Sequence, residues 1–131
     1  MARLMSVAYT EQQVRDRTKT VTRRAGWWET RSGKRILHPG DELTLCRKVM
    51  GRKHGEPLVR ICTVGVLDVN RELLSTLLAT DPAGAQYARD ELTREGFPDL
   101  TPREFIQRYF TEPQNLYPDD MVTRIEWTYI S

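Results

Sequence analysis

Lys19-Thr20-Val21-Thr22-Arg23-Arg24 gathers two hydroxyls, an amine and two guanidiniums into one short stretch. Val21 and the threonines are β-branched, which favours an extended backbone. Side chains alternate faces along a strand. Thr20, Thr22 and Arg24 therefore share one face, and Lys19, Val21 and Arg23 the other. Lys19 lies where the strand leaves a loop, so its stem can bend into a neighbouring cleft. Such a cluster can bind a phosphate or polarise a carbonyl. It can also be a solvated basic strand end.

The flanks give this strand its setting. Leu4-Met5-Ser6-Val7-Ala8 reads as a first strand. Thr10 is a candidate N-cap for a short polar helix from Glu11 to about Arg17, with Gln13 at the capping-box position. Beyond the basic stretch, Ala25-Gly26-Trp27-Trp28 opens a loop that carries Arg31, Lys34 and Arg35. The two tryptophans can stack on nucleobases or plug the end of a small barrel. His38-Pro39-Gly40-Asp41 is a turn signal, and Glu42 to Arg47 alternates as a strand. Leu58 to Val69 is the longest β-rich run, with a bulge or bend expected at Gly65.

A helical segment follows. Glu72 to Ala79 has helical leucine spacing, Asp81-Pro82 breaks it, and a second helix is expected from about Ala83 to Leu92. Gly96 and Pro98 then set a tight turn that would hold Glu95 in place. Thr101-Pro102-Arg103-Glu104 opens another helix with its cap, its proline and its capping-box glutamate in order. Phe105, Ile106, Tyr109 and Phe110 form that helix's apolar face. Met121 to Ile130 closes the chain as an alternating strand. Val122, Arg124, Glu126 and Thr128 face one way; Thr123, Ile125, Trp127 and Tyr129 face the other. Strands at both ends of a helical segment predict an α+β fold: a small mixed β-barrel with helices packed over one side.

Composition bounds what this fold can do. The chain has 131 residues, enough for one domain spanning 1–131 around one core. No apolar run is long enough to span a membrane. The N-terminal residues lack the apolar core of a secretory signal, so a cytoplasmic location is expected. Cys46 and Cys62 form no metal-ligand spacing with each other or with His38 and His54, and no metal or cofactor is expected. Free thiols fit better than a disulfide, which needs an oxidising compartment. Residues 1–60 hold 14 Lys/Arg and 6 Asp/Glu, whereas residues 61–131 hold 6 and 12. A basic N-terminal half suits a polyanion-binding face, unless the two halves neutralise one another in the fold.

The early strand, the short helix, Lys19-Thr20-x-Thr22-x-Arg24 and Pro39-Gly40-Asp41 leading into a strand resemble the ASCH domain family. Glu95-Gly96-Phe97, the Thr101–Phe110 helix and the closing strand resemble it too, so the likeness spans nearly the whole chain. ASCH domains belong to the PUA-like superfamily of small β-barrels, and the family is associated with RNA and nucleoside chemistry. Some bacterial members are amidohydrolases that deacetylate N-acetylated cytidine; ribonuclease activity is also associated with the family. The resemblance implies catalytic roles for Lys19, Thr22 and Glu95, with Arg24 as the motif arginine. Two loops, Trp27 to Leu37 and Lys48 to Pro57, are longer than in the compact members and would narrow the mouth of a site. The tryptophan-bearing basic loop resembles small ASCH proteins carried by bacteriophages.

Each chemistry makes its own demands. Amide hydrolysis needs a nucleophile or base, a proton path and an oxyanion stabiliser. Lys19 serves only as the neutral amine, which Arg23 and Arg24 would favour. Glu95 would activate water, and Arg24 would hold the oxyanion. The opposing reading is an ordinary ion pair between Glu95 and Lys19 or Arg24. Ribonuclease action would use Glu95 and Lys19 on a 2′-hydroxyl. Binding alone needs a cationic cleft and an aromatic edge: Thr20, Arg23, Arg24, Arg31, Lys34 and Arg35 with Trp27 or Trp28. The expected partner is RNA or a nucleoside, with single strands favoured because no helix is basic. A protein-interaction module is the remaining alternative.

Overall fold

Apolar alternation builds one sheet, and its order places the site. The computed structural model describes residues 2–131. β1 (Arg3–Ser6), β2 (Val21–Arg24), β3 (Glu42–Cys46), β4 (Arg60–Leu73) and β5 (Met121–Tyr129) are ordered β1-β3-β4-β5-β2. β1 runs parallel to β3, and the other pairs are antiparallel. The sheet curls into a half-barrel whose edge strands, β1 and β2, approach one another. There Arg24 Nη2 donates to the Ser6 carbonyl at 2.7 Å. An α+β half-barrel with helices packed against it is thus the observed architecture, with its seam bridged by a side chain.

Both faces of the sheet are covered. Val7, Leu43, Leu45, Val64, Ile125 and Trp127 belong to the inner core, inside the curl. Leu74, Leu77, Leu92, Phe105, Phe110 and Val122 form a second core beneath the helices. The alternation read in the closing strand holds: Ile125 and Trp127 enter the first core, Val122 the second. No helix among the described residues is long and apolar enough to cross a membrane.

Several boundaries depart from the sequence reading. β4 continues through Glu72 and Leu73, so Glu72 is a strand residue paired with Val122. Only Leu74–Leu78 turns, as a 3₁₀ helix. Cross-strand pairing with β5 outcompetes the leucine periodicity, which the 3₁₀ turn still uses to bury Leu74 and Leu77. β4 is irregular against β5 between Val66 and Asp68 and against β3 between Arg60 and Cys62, not at Gly65, which pairs regularly with Thr128.

The helices differ as well. α1 (Glu11–Arg15) follows a 3₁₀ turn at Ala8–Thr10, and the Thr10 side chain makes no capping bond. The Gln13 side chain instead donates to the Gly96 carbonyl at 2.9 Å, capping a different helix. That helix, α2 (Pro82–Glu95), runs three residues past the expected end, so Glu95 is its last residue, not part of the turn. α3 (Pro102–Ile106) has the expected Thr101–Glu104 capping box. It passes into a π-helical turn (Gln107–Thr111) and then α4 (Glu112–Gln114).

Gly96 ends α2 with φ of 99°, and a Cβ there would lie 3.0 Å from Gln13 Cγ. A left-handed conformation is costly for any residue with a Cβ. Gly96→Ala is therefore expected to lower the unfolding free energy by about 1–3 kcal/mol, read from the urea midpoint. An unchanged midpoint would show that the α1–α2 junction yields freely.

Candidate functional site

The cavity lies at the seam between the sheet's edges and has a volume of about 180 Å³. Lys19, Thr22, Arg23, Arg24 and Glu95 line it on the polar side. The other side is aromatic, built by Tyr9, Phe97, Phe105, Tyr109 and Phe110. The motif residues thus meet although Lys19 and Glu95 are far apart in sequence.

Two elements, β5 and α2, position Lys19. Its carbonyl accepts from the Trp127 indole at 3.1 Å and from the Tyr129 hydroxyl, both on β5. The Thr20 amide donates to the Arg94 carbonyl at the end of α2, 2.8 Å away. With its main chain pinned, the Lys19 side chain is carried inward. Nζ donates to the Glu95 carbonyl at 2.7 Å and lies 3.2 Å from Glu95 Oε1. Both side chains are almost fully buried. Burial pushes the Lys19 ammonium down to about 8, against the opposing pull of the Glu95 carboxylate. Arg24 and Arg23 add to the lowering.

Arg23 shares a strand face with Lys19 and converges on the same carboxylate. Its Nη1 donates to Glu95 Oε2 at 3.0 Å, its Nε to Glu72 at 2.8 Å, and its Nη2 to Glu91 and Tyr87. These bonds occupy four of the five guanidinium donors. Burial works against the Arg23 charge, but the Glu95 and Glu72 carboxylates more than offset it and raise its pKa. Arg23 is thereby a structural pivot that orients Glu95, with little capacity left for a ligand.

Arg24 is different. Its Nε donates to Thr22 Oγ1 at 3.1 Å and its Nη2 to the Ser6 carbonyl. Burial lowers its pKa, with Glu95 offsetting only part of the effect. Among the described residues no carboxylate lies within ion-pair distance of this guanidinium. It faces the cavity with charge to spare for an anion or a carbonyl oxygen.

Behind these groups lies a charged network that the sequence reading did not assemble. Arg124 Nε donates to Glu91 at 2.6 Å, and Arg94 reaches both Glu91 and Glu126. Burial pushes the Glu91 carboxyl up, but hydrogen bonds from Arg124 and Arg23 hold it at about 2. One signal was available: Glu91 and Glu95 are four residues apart, so a helix extended to Glu95 puts both on one face. The aromatic wall had a signal only in Phe105, Tyr109 and Phe110.

The remaining candidates lie elsewhere. The Thr20 hydroxyl accepts from Arg94 Nε at 3.3 Å. Trp27 and Trp28 pack against the inner core, and the Arg35 guanidinium lies 3.3 Å from the Trp28 ring centroid. Arg31 and Lys34 are exposed on the same loop. None of these residues lines the cavity. Physically, the loop forms a plug and a surface, and the strand forms the site.

Comparison with solved structures decides the fold. The ASCH domain from Lactobacillus crispatus superposes with a TM-score of 0.60 at 12% identity, covering 98% of this chain and 79% of that one. This chain has the ASCH-domain fold. A protein from Enterococcus faecalis assigned to the DUF984 family is also similar to it, with a TM-score of 0.52 and 12% identity over 99% of this chain and 80% of that one. No family model matches the sequence, and no curated protein matches it. The ASCH fold accounts for the half-barrel and its helices; the chemistry rests on the cavity itself.

Proposed function

We propose that this protein binds a nucleoside in the seam cavity and hydrolyses an exocyclic amide on its base, as in N-acetylated cytidine. The observation that carries this reading is the buried Lys19–Glu95 pair, set beside Thr22 and an unpaired Arg24 on one wall of a cavity with an aromatic opposite wall. Sites for drug-sized ligands run about 300–1,000 Å³. A cavity of about 180 Å³ favours one planar ring with a short acyl arm. A strand of RNA would have to offer a single flipped-out base, so a nucleoside fits better than a polymer.

The residues divide the work. Lys19, as the neutral amine, takes a proton from water, whose oxygen adds to the acyl carbon. Glu95 holds the resulting ammonium by charge and hydrogen bond. Arg24, steadied by Thr22, stabilises the oxyanion. The carbon–nitrogen bond then breaks as the Lys19 ammonium returns its proton to the leaving nitrogen. The products are the free exocyclic amine and a carboxylic acid, and the base is regenerated.

The test is turnover of N-acetylated cytidine by wild type, Lys19→Ala and Glu95→Ala, followed by product chromatography. Deacetylation by wild type alone supports the reading; none by wild type overturns the hydrolytic step. A pH profile sharpens it. The neutral amine is the active form, so the rate is expected to rise with pH through about 8 and then level off. Glu95→Gln removes the charge that holds the Lys19 pKa up, so any residual activity is expected to show a lower midpoint. A rate that falls between pH 7 and 9 would remove Lys19 as the base.

A further inference from the structure

The aromatic wall has a construction of its own. Tyr9 stands on the 3₁₀ turn Ala8–Thr10, and its residue is 77% exposed although its ring borders the cavity. The turn beneath it is firm: the Thr10 amide donates to the Val7 carbonyl at 3.0 Å, and Thr10 is buried. The Tyr9 ring leans on Tyr109, with centroids 5.4 Å apart. Tyr109 in turn stacks on Phe97, at 4.6 Å and an interplanar angle of 28°. Phe97 directly follows the Gly96 cap of the helix that ends in Glu95. A series of rings thus runs from the exposed edge of the cavity to the residue beside the candidate catalytic pair.

The backbone supports the same wall. In a regular α-helix Phe105 and Tyr109 share a face, while Phe110 is turned about 100° away from Tyr109. The π-helical turn at Gln107–Thr111 widens the helix there, and Phe105, Tyr109 and Phe110 all line the cavity. Such turns are rare and concentrate at functional sites. A large exposed aromatic on a pinned turn, backed by a second ring, offers a flat face to a planar ligand.

We infer that Tyr9, backed by Tyr109, presents its exposed face as a stacking platform for the heterocyclic ring of the substrate, so that the site selects amides carried on a planar aromatic base over amides of flexible aliphatic amines. This rests on the nucleoside reading of the cavity, which it deepens by naming what distinguishes the substrate. Tyr9 acts on binding of the ring and takes no part in the bond-breaking step.

The experiment separates ring binding from hydrolysis. Calorimetric titration with cytidine, the deacylated product, needs no turnover. It is run on wild type, Tyr9→Phe and Tyr9→Ala, with kinetics on N-acetylated cytidine and on an N-acetylated aliphatic amine alongside. Stacking of a base on an aromatic side chain contributes about 1–3 kcal/mol, or roughly a tenfold effect or more in affinity. Tyr9→Ala is expected to weaken cytidine binding at least tenfold and to raise KM with little change in kcat, whereas Tyr9→Phe stays close to wild type. The aliphatic amide is expected to be a poor substrate of every variant. Equal cytidine affinity in wild type and Tyr9→Ala overturns the platform, as does wild type that binds no nucleoside. If wild type binds cytidine, loses that affinity on Tyr9→Ala, and yet turns over no acetylated nucleoside, the platform stands and the hydrolytic reading fails. Because Tyr9 is exposed and its turn is held by main-chain bonds, folding of Tyr9→Ala is not at issue; a matching thermal melt verifies it.

Discussion

Lys19→Met is expected to abolish turnover while leaving the melting temperature at pH 7 no lower than that of the wild type. Loss of a general base removes about 10²–10⁴-fold in rate, so the residual activity should be near background. The stability side follows from burial. The Lys19 ammonium is held in an almost solvent-free site, and its pKa stands at about 8 instead of 10.5. That difference corresponds to about 3 kcal/mol of disfavoured charge in the folded state. Methionine fills similar space without the charge, and Glu95 keeps its bond to Arg23 at 3.0 Å. The sign with pH is definite. Between about 8 and 10.5 the unfolded chain holds a proton that the folded chain has released. Wild-type stability therefore rises across that window, and Lys19→Met should lack that increment. Calorimetric melts at pH 7 and pH 10 decide the matter: a large loss at pH 7 on Lys19→Met would mean that Lys19 is there to hold the fold together.

Arg23→Ala should behave in the opposite way, with loss of the fold as its main effect. The Arg23 side chain is completely buried and joins Glu72, Glu91 and Glu95. Removing one member of a buried ion-pair set costs about 3–5 kcal/mol, because the partners are left charged and unsolvated. Glu91 keeps Arg124 and Arg94, and Glu95 keeps Lys19, so Glu72 is left with only Tyr87. The melting temperature is expected to fall by about 10 °C or more. In the wild type the Glu91 carboxyl lies at about 2, so its share of stability is present above pH 4.5 and lost as pH falls toward 2. In Arg23→Ala the Glu91 carboxylate loses part of what holds it down and is easier to protonate, so the deficit against wild type should shrink in acidic solution. A deficit that grows on acidification would contradict this account of the network.

The two variants show how unequally neighbours in one motif behave. Lys19 and Arg23 lie on the same face and bind the same glutamate. Arg23 is matched by three carboxylates, whereas Lys19 is held by one. Residue type and spacing place both at the site and do not separate their tasks. Thr22 and Arg24 illustrate the converse: their pairing on one face is visible in the alternation and recurs as the 3.1 Å bond between them.

Some of the sequence reading failed for a reason common to several positions. Glu72 lies in leucine-rich sequence with helical spacing, yet pairing with β5 keeps it extended. Gln13 lies where a capping box wants it, yet it caps α2 across the fold instead of its own helix. Glu95 precedes Gly96 and Pro98 and reads as a turn, yet the glycine serves as the left-handed residue that lets the helix run to Glu95 itself. In the first two cases a long-range partner outweighs a local preference of a fraction of a kcal/mol to about one; in the third the glycine serves as a helix cap instead of opening the turn.

Local patterns along the chain dictate the order of the elements, the α+β class and the chemistry available in the Lys19–Arg24 stretch. Periodicity, caps and turn residues are local properties and can be read along a chain. The tertiary structure alone decided that Lys19 and Glu95 meet, that Arg23 is absorbed by three carboxylates while Arg24 stays unpaired, and that aromatic rings close the other side of the cavity. Those outcomes depend on which groups the curl of the sheet buries together, and burial sets both the charge state of an amine and the cost of leaving a carboxylate without a partner.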